Sequence, residues 1–244
     1  MGRTVCAAVA ADPDLVFAAA VDPFAAGDMV EGLAVGDRLD IFTEAGCDVV
    51  VDFTVADAAR ATLPWLGQHG IHAVVGTTGF TPADLEVFES VFGLEAGPNC
   101  VIAPNFAISA VLMMRFAEMA APFFDTAEII ELHHDQKVDA PSGTAVKTAE
   151  RMAQARNRAF DPDPTTDEVY AGARGGRGPA DIRLHSVRMR GMVAHQEVVL
   201  GATGQTLTIR QDSYDRASFM PGVVIACKKI SSVPGLSASL DPFL

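Results

Sequence analysis

Positive charge is scarce in this sequence. Across 244 residues, 18 lysines and arginines stand against 31 aspartates and glutamates, for a formal net charge of -13. A surface of that sign repels phosphate backbones, which excludes nucleic acid as a partner. Cysteine is also sparse. Cys6, Cys47, Cys100 and Cys227 lie far apart with no CxxC pair, which argues against a disulfide framework, and no metal is expected. All four read as small buried hydrophobes with free thiols, which implies a reducing cytosol and a cytoplasmic protein. A long uncharged apolar run is missing too. The most membrane-like stretch, Phe106 to Phe124, contains Arg115 and Glu118, so it predicts a buried helix and no membrane span. The opening residues lack a basic stretch leading into an apolar core, so no signal peptide is expected.

What is present is an ordinary globular composition, 49% hydrophobic and 20% charged, suited to one large domain or two modest ones. Residues 3–11 read as an alanine-rich helix ended by Asp12-Pro13. Leu15 to Val21 is a short apolar run closed by Asp22 and predicts a buried strand. Cys47 to Phe53, Ile71 to Val75 and Cys100 to Ala103 predict three more. Helices are expected between them, over 55–68 up to Gly70 and over 82–92 with Pro82 in the first turn. Apolar strands alternating with helices imply a parallel sheet covered on both faces. Ligands on such sheets sit at the carboxyl ends of the strands. Asp22, Gly76-Thr77-Thr78 and Ala103-Pro104-Asn105-Phe106 fall at those ends.

The second half has a different pattern. A strand is expected over 127–132, a helix from Ser142 to about Asn157, and a long surface loop over 158–181. Ile182 to Arg190 alternates. Glu197–Leu200 and Thr206–Arg210 predict a hairpin around Ala202-Thr203-Gly204, and a last helix is expected over 222–230. The fold class is therefore α/β: a Rossmann-type parallel-sheet domain followed by an α+β domain with a mixed or antiparallel sheet.

The stretch richest in chemistry runs from Glu131 to Ala145. His133, His134 and Lys137 lie within five positions just past a strand, followed by Pro141 and then Ser142-Gly143-Thr144 opening a helix. Histidine donates protons near neutral pH, and a desolvated lysine can do so as well. A helix N-terminus presents unpaired N–H groups, and glycine lets a ligand approach that backbone. The combination describes a carboxylate or phosphate site beside an acid/base pair. Plainer readings exist: Ser142 as a mere N-cap, and HHxxK as a solvated loop. Zinc is disfavoured, since adjacent histidines on a strand face opposite ways and no EH-type spacing or cysteine supports it. Ser142 as a nucleophile lacks a GxSxG elbow.

The segment HHDQKVDAPSGTA resembles the signature of the dihydrodipicolinate reductase family. Val51-Asp52-Phe53-Thr54, Val75 to Phe80 and Ala103 to Phe106 resemble the same family in the same order, as do Arg190-Gly191, His195 to Gly201 and Arg216 to Phe219. The likeness covers nearly the whole chain, and the short loop after Asp22 resembles actinobacterial members. It implies an NADH- and/or NADPH-dependent reduction of 4-hydroxy-tetrahydrodipicolinate, with loss of water, in diaminopimelate and lysine biosynthesis. It further implies His133 and Lys137 as proton donors, and His134, Gly143 and Thr144 on a small cyclic dicarboxylate substrate. Met1, Asp22, Gly76, Thr77, Thr78, Ala103, Pro104, Asn105 and Phe106 are expected on the cofactor. Residues 1–104 and 215–244 are expected to form the dinucleotide domain, and 105–214 a substrate-binding and oligomerisation domain in a homotetramer. Asp22 favours NADH or dual use over strict NADPH dependence. The competing reading is a non-catalytic ligand-binding relative.

The likeness departs at the start. The first strand and first glycines of the dinucleotide fingerprint do not precede Met1-Gly2-Arg3, which resembles the end of the family's glycine-rich loop. The expectation is a chain with a late-assigned start, the full protein carrying roughly a dozen more residues.

Overall fold

The computed structural model describes residues 1–93 and 97–244. In chain order the elements are α1 (Gly2–Ala11), β1 (Met29–Val30), β2 (Leu33–Ala34), α2 (Asp40–Glu44), β3 (Val49–Asp52), α3 (Ala56–Gln68), β4 (His72–Val75), α4 (Pro82–Phe92) and β5 (Cys100–Ile102). Then follow α5 (Ile108–Ala120), β6 (Thr126–His133), α6 (Gly143–Gln154), β7 (Gly176–Arg177), β8 (Arg183–Arg188), β9 (Ala194–Ala202), β10 (Gln205–Ser213), α7 (Met220–Lys229) and β11 (Leu236–Ser237). The chain separates into two compact units, Met1–Ala107 with Arg216–Leu244, and Ile108–Asp215.

The first unit is built on a parallel sheet in the order β11-β5-β4-β3. Its strands are short apolar runs because helices cover the sheet: Val74, Val75 and Val101 are fully buried. Leu63 and Leu66 of α3 and Phe88 and Phe92 of α4 pack into the same core as Ala73, Val75 and Cys100. Each such side chain contributes about 1.5–3 kcal/mol by leaving water. Local sequence sets the helix ends. Thr81 and Asp84 form a reciprocal capping box at α4, with Pro82 at its first position; after α3, Gly70 turns the chain at φ +73°.

Leu15–Val21 departs from expectation. It forms no ladder among the described residues; only Val21 makes a bridge, to Gly36. The Gly36 N–H donates to Ala20 O and the Asp22 N–H to Gly36 O, both at 2.9 Å, while Val16 is exposed. Apolar composition specifies a preference for burial, but a strand also needs a partner edge, and here that edge is one residue wide. The cysteine reading also needs correction. All four thiols are free, yet only Cys100 and Cys227 are buried, Cys6 and Cys47 being half-buried. Burial raises all four thiols above their ordinary value, Cys227 up to about 12, so none is a thiolate at neutral pH.

The second unit carries a mixed five-stranded sheet in the order β10-β9-β6-β8-β7, in which β6 and β8 run parallel and the other neighbours antiparallel. Along β6 burial alternates, with Ala127, Ile129 and Glu131 on the inward row. The β9–β10 hairpin is longer than expected and turns on Thr203-Gly204, Gly204 at φ +78°. Helix α5 is not uniformly buried. Ala110, Met113, Met114 and Ala117 face the core, while Phe116 and Met119 are exposed. The run has amphipathic spacing, which its high apolar content masks. The expected surface loop over 158–181 contains β7 and is tied down by ion pairs: Arg174 bridges Glu128 and Asp163, and Arg183 also meets Asp163. No helix among the described residues is long and apolar enough to cross a membrane.

Candidate active site

Strand β6 ends at His133, and the chain then turns sharply before α6 begins. The Lys137 N–H donates to His134 O at 3.2 Å, which folds the lysine back toward the strand end. At Ser142 the chain enters α6. The Ser142 hydroxyl accepts from the Ala145 N–H at 3.2 Å, the ordinary duty of an N-cap. The first N–H groups of a helix have no acceptor within the helix. Over Gly143 there is open space: a Cβ built there would meet nothing within 4 Å. The second unit thus brings His133, Lys137 and the Gly143-Thr144 helix tip onto one connected stretch. His134 is exposed.

Three charged residues that carry this arrangement were not singled out from the sequence. Glu131 is wholly buried, two positions before His133 and so on the same side of the strand. Its carboxylate receives a two-pronged guanidinium from Arg188, Nη1 to Oε2 at 2.8 Å and Nη2 to Oε1 at 2.7 Å. His133 Nδ1 meets Oε2 at 2.5 Å, and the Ser142 N–H donates to Oε1 at 3.2 Å. Burial alone would raise this carboxyl; the hydrogen bonds from His133, Arg188 and the Ser186 hydroxyl outweigh it and hold it at about 2. The third residue is Asp139. Lys137 Nζ donates to both of its oxygens, at 2.8 and 2.9 Å, and that hydrogen bond holds the Asp139 carboxyl below its ordinary value. The sequence signal for Glu131 and Asp139 was spacing, each two positions from a candidate proton donor. Arg188 gave none, because it reaches the site through the β6–β8 register, opposite His133.

His195 belongs elsewhere. It is buried, its Nε2 accepts from the Val193 N–H at 3.1 Å and its Nδ1 lies 2.7 Å from Asp212, so both ring nitrogens serve the β9–β10 hairpin. Among the described residues no group of three or more His, Cys, Asp or Glu is arranged to hold a metal ion.

In the first unit, the Gly76–Thr78 and Ala103–Phe106 segments leave the carboxyl ends of the neighbouring strands β4 and β5, joined by the Ala103 N–H donating to Val75 O at 3.0 Å. Gly76 sits flush against Phe53, where a Cβ would fall 2.1 Å from the ring. Buried Asp52 fixes the turn: it accepts from the Thr77 hydroxyl at 2.8 Å and from the Thr54 N–H and hydroxyl at 2.9 and 2.8 Å. Phe106 is buried, 5.6 Å from the Phe53 ring. Asn105 Oδ1 accepts from the Ala107 N–H at 2.9 Å. Met1 is the N-cap of α1, with open space over Gly2. Asp22 is exposed and its Oδ1 accepts from the Phe24 N–H at 2.9 Å, a turn-capping role. Small residues at parallel strand ends and an accessible helix tip fit a dinucleotide.

Comparison with known proteins adds the following. Residues 1–106 match the family profile described as dihydrodipicolinate reductase, N-terminus, and residues 109–244 match its C-terminus counterpart. The 4-hydroxy-tetrahydrodipicolinate reductase of Nocardia farcinica is 52% identical over 250 residues, covering 100% of this chain and 94% of the relative. That of Corynebacterium diphtheriae is 47% identical over 246 residues, with the same coverage. Among solved structures, the dipicolinate-bound dihydrodipicolinate reductase from Paenisporosarcina sp. TG-14 superposes with a TM-score of 0.87 at 36% identity, covering 100% of this chain and 95% of that one.

Proposed function

This chain belongs to the dihydrodipicolinate reductase family, and from that premise we propose that it reduces 4-hydroxy-tetrahydrodipicolinate to tetrahydrodipicolinate, with His133 and Lys137 as its proton donors. The reaction consumes one reduced nicotinamide and one proton and releases water. It is an oxidoreductase of diaminopimelate and lysine biosynthesis. The observation that carries the residue assignment is the shared stretch of His133, Lys137 and the α6 tip, beside a guanidinium held by a buried carboxylate. Full-length relatives of about half identity support the activity. They do not support the alternative of a non-catalytic ligand-binding relative.

NADH or NADPH, bound by the first unit, supplies the hydride. Gly76, Thr77, Thr78, Ala103, Pro104, Asn105 and Phe106 would hold its nicotinamide side, with Met1 and Asp22 toward the remainder. The residues of the second unit do the rest. The Gly143 and Thr144 amides grip one substrate carboxylate through the partial positive charge of the helix tip, and His134 adds a contact. Lys137 exchanges its Asp139 partner for the anionic ring and offsets the charge that builds there while delivering a proton. His133 holds or gives a proton at Nε2, since Nδ1 is occupied by Glu131. Positioned proton donors of this kind are worth roughly 10²–10⁴-fold in rate.

The same reading makes the enzyme a cytoplasmic homotetramer that associates through the open sheet of the second unit. The direct test is consumption of reduced nicotinamide with the substrate made in situ by the preceding synthase. Substrate-dependent oxidation is the expected result; its absence with folded protein overturns the proposal. Light scattering tests the oligomeric state separately.

A further inference from the structure

We infer that Glu131 is a positioning residue: clamped by Arg188, it fixes which nitrogen of His133 exchanges a proton and ties that ring to the anion-gripping tip of α6. The inference rests on the assignment of His133 as a proton donor. Each Glu131 oxygen has at least two partners. Oε1 accepts from Arg188 Nη2 and from the Ser142 N–H, and Oε2 accepts from Arg188 Nη1 and faces His133 Nδ1. With the Ser186 hydroxyl as a further hydrogen-bond partner, these contacts occupy the sites at which a carboxylate accepts. An ionised carboxylate only accepts. The ring must therefore carry its proton on Nδ1, which leaves Nε2 as the atom that alternates between lone pair and proton.

Stability does not account for this cluster. A carboxylate–guanidinium pair with a wholly buried carboxylate and a largely buried guanidinium is on balance replaceable by apolar side chains of similar volume at little cost. What the pair provides is geometry. Glu131 joins three segments: β6, which carries His133; β8, which carries Arg188; and the Ser142 cap of α6. Arg188 extends the tie, since Nη2 also donates to Asp139 O at 2.7 Å and so straps the turn that carries Lys137. Proton donor, lysine turn and helix tip are held to one buried anion.

Glu131→Gln tests this with little change of shape. Its amide oxygen can still accept from Ser142 and Arg188, but an N–H group then faces His133 Nδ1. The ring is forced to the opposite tautomer. Turnover falls at least about 100-fold, while the substrate KM changes only a few-fold because the helix tip is kept. A purely structural residue would move both, or neither. Nitrogen-15 spectra of the whole protein read the tautomer directly: in the neutral ring Nδ1 is protonated in the unmodified chain and Nε2 in the variant. If Glu131→Gln leaves the Arg188 charge uncompensated and does not fold, the double variant Glu131→Gln with Arg188→Met removes both charges and is measured in the same way. A neutral His133 protonated on Nε2 in the unmodified chain overturns the inference, as does near-normal turnover in a folded Gln variant. An inactive unmodified chain with Nδ1 protonated would count against the proposed reaction while supporting the positioning.

Discussion

At the scale of single residues, the proposed site separates groups assigned to the substrate from groups that hold them. His133→Gln and Lys137→Ala are each expected to lower turnover by roughly 10²–10⁴-fold, measured as steady-state kcat on protein whose unfolding temperature is unchanged. Glu131 has a consequence for stability as well. Its carboxyl is held at about 2, below the ordinary 4.5. A depressed carboxyl stabilises the fold fully above its unfolded value, and that contribution is lost as pH falls through the folded value. The melting temperature should therefore drop between about pH 4.5 and 2, and the Glu131→Gln variant should show a shallower drop. His133, Lys137 and Gly143-Thr144 stood out in the sequence as candidates because two proton-donor residue types and a helix tip share one short stretch. Glu131 had only its two-residue spacing from His133 as a signal, and Arg188 had none, because it acts through a strand register 57 residues wide, which no local pattern encodes.

At the scale of elements, the ends of helices and strands do the placing. Ser142→Ala removes the side-chain cap of α6 and is expected to cost about 1 kcal/mol of stability by thermal or denaturant unfolding. It should raise the substrate KM if that tip grips a carboxylate. Gly76→Ala puts a methyl group into the Phe53 ring and must displace the turn that Asp52 fixes through Thr77. Weakened cofactor binding by calorimetry, with the second unit's substrate contacts intact, is the expected outcome. The apolar strands β3, β4 and β5 and the helices between them were readable from period and punctuation. Leu15–Val21 was not, because strand formation depends on a partner edge as well as on composition. The exposed side of α5 was misread for a related reason: Phe116 and Met119 raise the helix's hydropathy without facing the core.

At the scale of the whole molecule, a net charge of -13 must coexist with an anionic cofactor and a dicarboxylate. At the candidate site the cations are paired with carboxylates, Arg188 with Glu131 and Lys137 with Asp139, so the open helix tip at Gly143 is the anion-binding feature on offer in place of a basic surface. On the proposed function, Asp22 is assigned to the cofactor side. A carboxylate there repels a ribose 2′-phosphate, so kcat/KM with NADH should equal or exceed that with NADPH, and Asp22→Ser should shift the ratio toward NADPH. The most direct measurement is the rate of reduced-nicotinamide oxidation with synthase-generated substrate, for the unmodified chain beside His133→Gln and Lys137→Ala. Substrate-dependent oxidation that falls at least about 100-fold in each variant is the result expected. No oxidation by the folded unmodified chain, or near-normal rates in both variants, would contradict the account.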